Sequence, residues 1–422
     1  MRRAVVLSSG RYRLGLRYRV MKIRRSLLFS CSVIASALGS IGGGAPVVAQ
    51  AQATPAAPAA PAPSAACAAI TAETIDDCVR LNQIQVLGTH NSYHIAPKPP
   101  ILEVLGEHRQ GLEYTHRTLT EQLSTLGIRK LELDVYADPE GGRYAHPAGY
   151  RLTGEQVDPA MAGPGFKVFH MQDLDVHSRC PTFTACLTEI KTWSAANPRH
   201  VPVMIMVELK DTVIKDRPNF TFTKPLPIGA KELDALDEEI RTVFGAQVIT
   251  PDSVRGSHAS LDEAVRTSGW PTLRQARGKV LFAMDNTDAH RDAYLRGHAS
   301  LRGRMLFVTA PDGDPATAFL KLNEARGAAE QTIHERVAAG YLVRTRADEP
   351  TIEARNNDTT RRDSAFRSGA QYVSTDFPET SPFGSGYIAR LPGPAGLTVR
   401  CNPVNAPKGC RDEWLEPRPS AR

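Results

Sequence analysis

Apolar and polar residues alternate strictly through Lys130-Leu131-Glu132-Leu133-Asp134-Val135-Tyr136. Strand side chains alternate faces, so this pattern predicts a β-strand with Leu131, Leu133 and Val135 on one side and the carboxylates Glu132 and Asp134 on the other. Seven further β-rich runs lie at 83–87, 167–170, 203–209, 279–283, 305–308, 341–344 and 372–374. The run Val203-Met204-Ile205-Met206-Val207 is wholly apolar before it ends in Glu208. Helical periodicity fills 119–126, 185–197, 230–244, 261–267, 316–337 and 361–369. Short strands alternating with helices predict an α/β chain folded as a parallel (β/α)8 TIM barrel, closed by its first and last strands. An open doubly wound sheet is the alternative, but no GxGxxG opens the first βα unit. The connections 137–166 and 211–229 are longer than barrel packing requires. Both follow strands, so both belong on the C-terminal face, where barrel active sites are built.

The beginning of the chain has a different texture. Met21-Lys22-Ile23-Arg24-Arg25 is a basic run, Ser26 to Ser40 is apolar but short, and Ala49-Gln50-Ala51 and Ala51-Gln52-Ala53 offer small-residue cleavage sites. Residues 1–53 read as an extension and a signal peptide starting at Met21, which predicts a secreted or periplasmic protein. Residues 54–66 are an Ala/Pro linker, and 67–422 form a single catalytic-sized domain.

Removing the leader changes the electrostatic picture. Of 51 basic and 45 acidic residues in the 422-residue chain, nine basic and no acidic ones lie in 1–53, leaving 42 against 45, a net charge of −3. The formal charge of +6 therefore belongs to the leader and gives no basis for nucleic-acid binding. No later apolar run reaches membrane-spanning length. The six later cysteines fall into local couples, Cys67 with Cys78, Cys180 with Cys186 and Cys401 with Cys410. In an exported chain these predict three disulfides, and no CxxC spacing supports zinc instead.

Chemistry collects at strand ends. Gly88-Thr89-His90-Asn91-Ser92 follows the first strand, Glu132 and Asp134 lie on the second, His170 ends the third and Glu208 the fourth. Each residue alone has an ordinary explanation: a loop-capping or core histidine, a turn asparagine, or a salt bridge such as Glu208 with Lys210 or Arg344. Together, one amide oxygen and three carboxylates form a hard-oxygen set suited to Ca2+, with both histidines free for acid–base work.

These residues resemble the catalytic half of phosphoinositide-specific phospholipases C, and most closely the secreted, calcium-dependent bacterial group. The resemblance continues through Gly340-Tyr341-Leu342-Val343-Arg344-Thr345-Arg346-Ala347-Asp348 and Gly369 to Asp376, and into the tail Cys401 to Cys410. It implies a distorted barrel and Ca2+-dependent cleavage of phosphatidylinositol, at a membrane interface, to diacylglycerol and an inositol phosphate through a cyclic inositol phosphate. By resemblance, Asn91, Glu132, Asp134 and Glu208 bind calcium, and Glu132 or Glu208 takes the 2-hydroxyl proton. His90, as imidazolium, holds the phosphoryl oxygens, and His170 protonates the leaving glycerol oxygen. Arg344, Arg346 and Lys210 are candidates for gripping substrate, with ion pairing as the equal alternative. The fifth strand lacks lysine beyond Lys279, so unphosphorylated phosphatidylinositol is the expected substrate of an expected monomer.

Competing readings are another phosphodiesterase, acting on glycerophosphodiesters or lysophospholipids, and a non-catalytic calcium-stabilised inositol- or glycan-binding barrel. The His-Asn-Ser opening differs from the His-Arg-Gly typical of glycerophosphodiester phosphodiesterases. Two histidines beside a metal exceed what binding alone requires. Phe220, Phe222, Leu226 and Ile228 are candidates for a lipid-dipping ridge or for core cover. His94, His116, His146 and His177 are expected to be structural, with His146 or His177 standing in should His170 be misplaced.

Overall fold

A computed structural model describes residues 67–416 apart from 218, 219 and 268; the signal peptide and the Ala/Pro linker lie outside the described residues. Ten strands appear in chain order: β1 (Ile84–Thr89), β2 (Lys130–Tyr136), β3 (Lys167–Val168), β4 (Val203–Leu209), β5 (Val280–Met284), β6 (Leu306–Phe307), β7 (Phe319–Lys321), β8 (Leu342–Arg346), β9 (Tyr372–Thr375) and β10 (Val399–Cys401). Eight of them run β6-β5-β4-β2-β1-β9-β8-β7, all in parallel pairs. A single parallel bridge, Thr309 to Phe319, links the two ends. The result is a nearly closed, distorted α/β barrel. β1 and β9 pair over four residues, so the first and last strands do adjoin.

Two distortions have local causes. β10 pairs antiparallel with Ile84, Gln85 and Val86, taking the edge of β1 that a longer β2 would use, and the β1–β2 register is confined to Gly88 and Lys130. Gly88 is required there, because a Cβ on it would lie 2.6 Å from the Lys130 Cβ. The expected third barrel strand, 167–170, is corrected to the two-residue β3, which pairs antiparallel with Val135 and Tyr136 at the end of β2. β2 instead pairs β4 directly, over six residues. The barrel recovers its eighth strand from β7, inside the stretch 316–337 that reads as one helix; the helix there begins only at Ala328.

The helices form as their patterns dictate. Leu119–Ser124 opens with a Thr118/Glu121 capping box. Phe183–Ala196 is capped by the Thr182 side chain. Ala230–Phe244 buries Leu233, Leu236, Ile240, Val243 and Phe244 along one stripe and stops at Gly245, φ 52°. These stripes meet the outward face of the sheet, where Leu131, Leu133 and Val135 are wholly buried. The apolar core is therefore the layer between barrel and helices, and charge is left to the interior. The three cysteine couples are disulfides with Cα separations of 5.4, 5.2 and 6.1 Å. Among the described residues no helix is long and apolar enough to cross a membrane.

The lipid-ridge alternative for 220–228 is corrected. Phe222 packs with Ile101, Leu105, Leu112 and Leu174, Ile228 joins the main core, and Phe220 and Leu226 pack against these clusters half-buried. Burying that apolar surface stabilises the long loop after β4 more than exposing it to water.

Candidate active site

β2 presents Lys130, Glu132 and Asp134 in succession on its inner face, all buried. Its register with β4 sets Asp134 opposite Glu208. β1 delivers His90 and Asn91 next to them, and a backbone bond from Ser92 N to Glu132 O (2.9 Å) ties that turn to β2. Asn91 adopts φ 42°, a left-handed conformation that asparagine tolerates. Its Nδ2 donates to the Tyr114 hydroxyl at 3.1 Å, while its Oδ1 is buried without a hydrogen-bond partner.

Glu132 and Asp134 have opposite surroundings. The Glu132 Oε2 accepts from Arg344 Nη2 at 2.8 Å and from Lys130 Nζ, and His90 Nε2 lies 3.6 Å from Oε1. Burial by itself would raise Glu132, but Arg344, Lys130 and His90 overrule it and hold the carboxyl well below its usual range. Burial lowers Lys130 to about 7 even with Glu132 opposing. Asp134 has only Lys210, at 3.3 Å, and neither of its oxygens makes a hydrogen bond. Burial and the neighbouring Glu208 push it well above the ordinary carboxylate value. Lys210 is shared, with Glu208 Oε1 3.1 Å away.

The two histidines are each backed by an aspartate. His90 Nδ1 lies 2.8 Å from Asp376 Oδ1 and 3.2 Å from Arg346 Nη2, and Arg346 also donates to Asp376 at 3.2 Å. Burial and Arg346 drive His90 well below the ordinary imidazole value, against the pull of Glu132, which favours the neutral ring over the expected imidazolium. A fifth of the side chain (19%) still faces the mouth. His170 sits in a tight turn after β3 rather than at a barrel-strand end, where Met171 and Asp175 exchange backbone bonds. Its Nδ1 is 2.8 Å from Asp175 Oδ2, and 28% of the side chain is exposed. The same carboxylate meets the fully buried His94 at 3.0 Å, and His94 anchors on the Tyr114 carbonyl at 3.0 Å.

The structure thus brings His90, Asn91, Glu132, Asp134, Glu208, Lys210, Arg344 and Arg346 into one barrel mouth. Arg344 and Arg346 are engaged rather than free: Arg344 also binds Ser374 and Asn323, and Arg346 also donates to the Asp348 carbonyl. His177 pairs with Glu155 at 3.0 Å beside Tyr150, away from these groups. Sequence reasoning missed Asp376 and Asp175. Asp376 could have been found as a carboxylate just beyond the last strand, the same signal that marked Glu208. Asp175, in a short loop, carries none.

Two features of the donor set bear on calcium. Among the described residues no three His, Cys, Asp or Glu side chains are arranged to hold a metal by themselves. Glu132 is turned to Arg344 and Lys130, which removes one carboxylate from such a group. Against that, Asn91 Oδ1 and Asp134 Oδ1 are buried hard acceptors without a hydrogen bond, while Asp134 Oδ2 has Lys210 Nζ 3.3 Å away, and unsatisfied buried oxygens are rare in a site without a ligand. The chemistry of the set fits calcium.

A family model described as phosphoinositide phospholipase C, Ca2+-dependent, matches residues 79–403. The chain belongs to this family. It is accordingly a phosphoric diester hydrolase of the calcium-dependent phospholipase C type, and the barrel and the three disulfides expected from the sequence are present. Among solved structures, the calcium-dependent phosphoinositol-specific phospholipase C of a Pseudomonas species, in a myoinositol complex, is 16% identical with a TM-score of 0.47, covering 79% of this chain and 98% of that one. The Ca2+-dependent phosphatidylinositol-specific phospholipase C of Streptomyces antibioticus is 20% identical, TM-score 0.46, covering 71% and 96%. A glycerophosphoryl diester phosphodiesterase of Parabacteroides distasonis scores 0.26 at 10% identity, covering 76% and 98%. No curated protein sequence matches this phospholipase.

Proposed function

We propose that this phospholipase cleaves phosphatidylinositol to diacylglycerol and a cyclic inositol phosphate, then hydrolyses the cyclic ester, with Ca2+ held by Asn91, Asp134 and Glu208, beside a Glu132 fixed by Lys130 and Arg344. The observation that carries the reading is the pair of buried oxygens without hydrogen bonds, Asn91 Oδ1 and Asp134 Oδ1, together with two histidines each backed by an aspartate. Bound there, calcium supplies a Lewis acid that acidifies the inositol 2-hydroxyl and neutralises charge on the phosphoryl group.

The residues divide the remaining work. Glu208 takes the 2-hydroxyl proton, because it is the more exposed carboxylate (29%) and has one cation beside it, whereas Glu132 is fixed by two. The 2-hydroxyl oxygen then bonds to phosphorus as the glycerol oxygen leaves. Nδ1–H of His170 donates to Asp175, which directs Nε2 to the mouth, where a protonated ring gives its proton to the departing oxygen. In the second step the neutral Nε2 takes a proton from water attacking the cyclic ester, and Glu208 returns its proton to the 2-oxygen as the bond from that oxygen to phosphorus breaks. His90 donates Nδ1–H to Asp376 at 2.8 Å, which leaves Nε2 for the substrate, and a ring protonated as the anionic phosphodiester arrives donates from Nε2 to a phosphoryl oxygen.

Specificity and setting follow from neighbouring residues. Asp285 after β5 neutralises Lys321 of β7 at 2.6 Å, which favours an unphosphorylated inositol ring. Leu152, Val213 and Ile352 are the exposed large hydrophobics among the described residues, and all three lie in connections after strands β2, β4 and β8. They are the residues that meet the lipid surface. One chain supplies the whole site, in keeping with a monomer. The three disulfides are in keeping with export beyond the cytoplasm, after removal of the leader.

The test is turnover of phosphatidylinositol micelles in calcium and in chelator, followed by phosphorus NMR. Cyclic phosphate appearing first, in calcium only, is the expected result. Equal turnover in chelator sinks the calcium assignment, and linear phosphate without a cyclic precursor sinks the two-step scheme.

A further inference from the structure

The Asp134–Glu208 rung holds two carboxylates and one cation. Lys210 follows Glu208 by two residues, at the end of β4, and its ammonium reaches back to within 3.3 Å of Asp134 and 3.1 Å of Glu208. The other cations of the mouth cannot be exchanged in this way. Lys130 and Arg344 are wholly enclosed, at 0% and 1% side-chain exposure, and both bind Glu132. Lys210 is 22% exposed on a flexible four-carbon stem, so it has a route outward. Calcium binds carboxylate oxygens at about 2.3–2.6 Å. Two of the oxygens in reach of such an ion, Asp134 Oδ2 and Glu208 Oε1, now face the ammonium, and the two cations repel.

We infer that Lys210 is a built-in counter-ion that calcium must displace, so that ammonium and metal compete for Asp134 and Glu208. This rests on the calcium reading above. It follows that the protein is stabilised in the absence of metal by its own lysine, and that calcium affinity is weaker than the oxygen set alone would give. It also follows that metal binding releases an ammonium at the mouth, where an anionic phosphodiester arrives. Asp134 is the sensitive partner, since Lys210 is the one cation within ion-pair distance of it among the described residues.

Calorimetric titration of calcium into wild type, Lys210→Met, Lys210→Arg and Lys215→Met tests the competition without any turnover. Lys215 is exposed in the same loop and reports the long-range charge effect. Lys210→Met is expected to bind calcium at least tenfold more tightly, Lys210→Arg to stay near wild type, and Lys215→Met to change less than twofold. Equal or weaker binding by Lys210→Met, with calcium binding intact in wild type, overturns this inference alone. No calcium binding by wild type overturns it together with the reading it rests on. Should Lys210→Met not fold, reductive methylation of wild-type Lys210, read by mass spectrometry, keeps the question open to refutation. Labelling is expected to rise several-fold at saturating calcium as the side chain is expelled, and unchanged labelling overturns the displacement.

Discussion

Replacing Glu132 by Gln and Asp134 by Asn should affect stability in opposite ways, although the residues are two apart on one strand. Both changes remove one negative charge from a buried position. Glu132→Gln strips Arg344 and Lys130 of their shared carboxylate and leaves two enclosed cations facing each other. Breaking a buried pair in this way costs about 3–5 kcal/mol. In a domain of this size that corresponds to a fall in Tm of roughly 5 °C or more. Asp134→Asn removes an anion that burial and Glu208 already destabilise, and leaves Lys210 with Glu208. It should therefore stay within about 1 kcal/mol of wild type, or gain, since the charge it deletes is poorly compensated. The assay is calorimetric unfolding in chelator, repeated with calcium. Wild type should gain about 2.7 kcal/mol at a hundredfold excess over Kd; Asp134→Asn should lose most of that gain and Glu132→Gln should keep most of it. If the two variants fall equally in chelator, the assignment of Glu132 to the cations and Asp134 to the metal is refuted.

Asp175→Asn should reduce kcat by about 10²–10⁴-fold, the usual contribution of a positioned acid–base group, because His170 loses the acceptor that fixes its ring. KM should change little, and a parallel rise in KM would point to a damaged binding site instead. His116 is buried, donates to the His90 carbonyl at 2.8 Å, and is held down to about 4 chiefly by burial, against an unfolded value near 6.5. Below pH 6.5 the unfolded chain takes a proton that the folded one refuses, so stability falls between about pH 6.5 and 4, by at most on the order of 3 kcal/mol from this group. His116→Gln keeps a donor but does not titrate, and denaturant unfolding across that range should show a shallower pH slope; an identical slope refutes the attribution. Val213→Asp combined with Ile352→Asp should weaken vesicle binding at least tenfold in a sedimentation assay while leaving hydrolysis of a soluble inositol phosphodiester intact. Loss of both activities would show that the loops shape the site rather than dock it.

Much of this protein is set by local pattern. The alternation through 130–136 places Glu132 and Asp134 on one face whatever surrounds them, because the strand period is two. The stripe 230–244 becomes a helix of those limits, since its apolar residues recur at helical spacing and glycine follows. The cysteines lie close enough along the chain that their pairing needed no fold to specify it. The motifs at 88–94, 130–136 and 340–348 carry the resemblance to the family, and all three lie within the stretch its model matches.

Only the tertiary structure decided what depends on residues far apart in sequence. Three-residue β7 is invisible within a helix-like stretch, because its strand character comes from β8 beside it. β3 is no barrel strand because β4 pairs β2 along the edge where a third parallel strand would lie, which leaves β3 to pair antiparallel with Val135 and Tyr136 at the end of β2. The pairing of Glu132 with Arg344 spans 212 residues, and that of His90 with Asp376 spans 286, so no local spacing announces either. The choice between salt bridge and metal for the two carboxylates of β2 was likewise a matter of tertiary charge. Glu132 lies against two enclosed cations, Lys130 and Arg344, and Asp134 against the partly exposed Lys210, a difference in charge that the alternation of β2 does not contain.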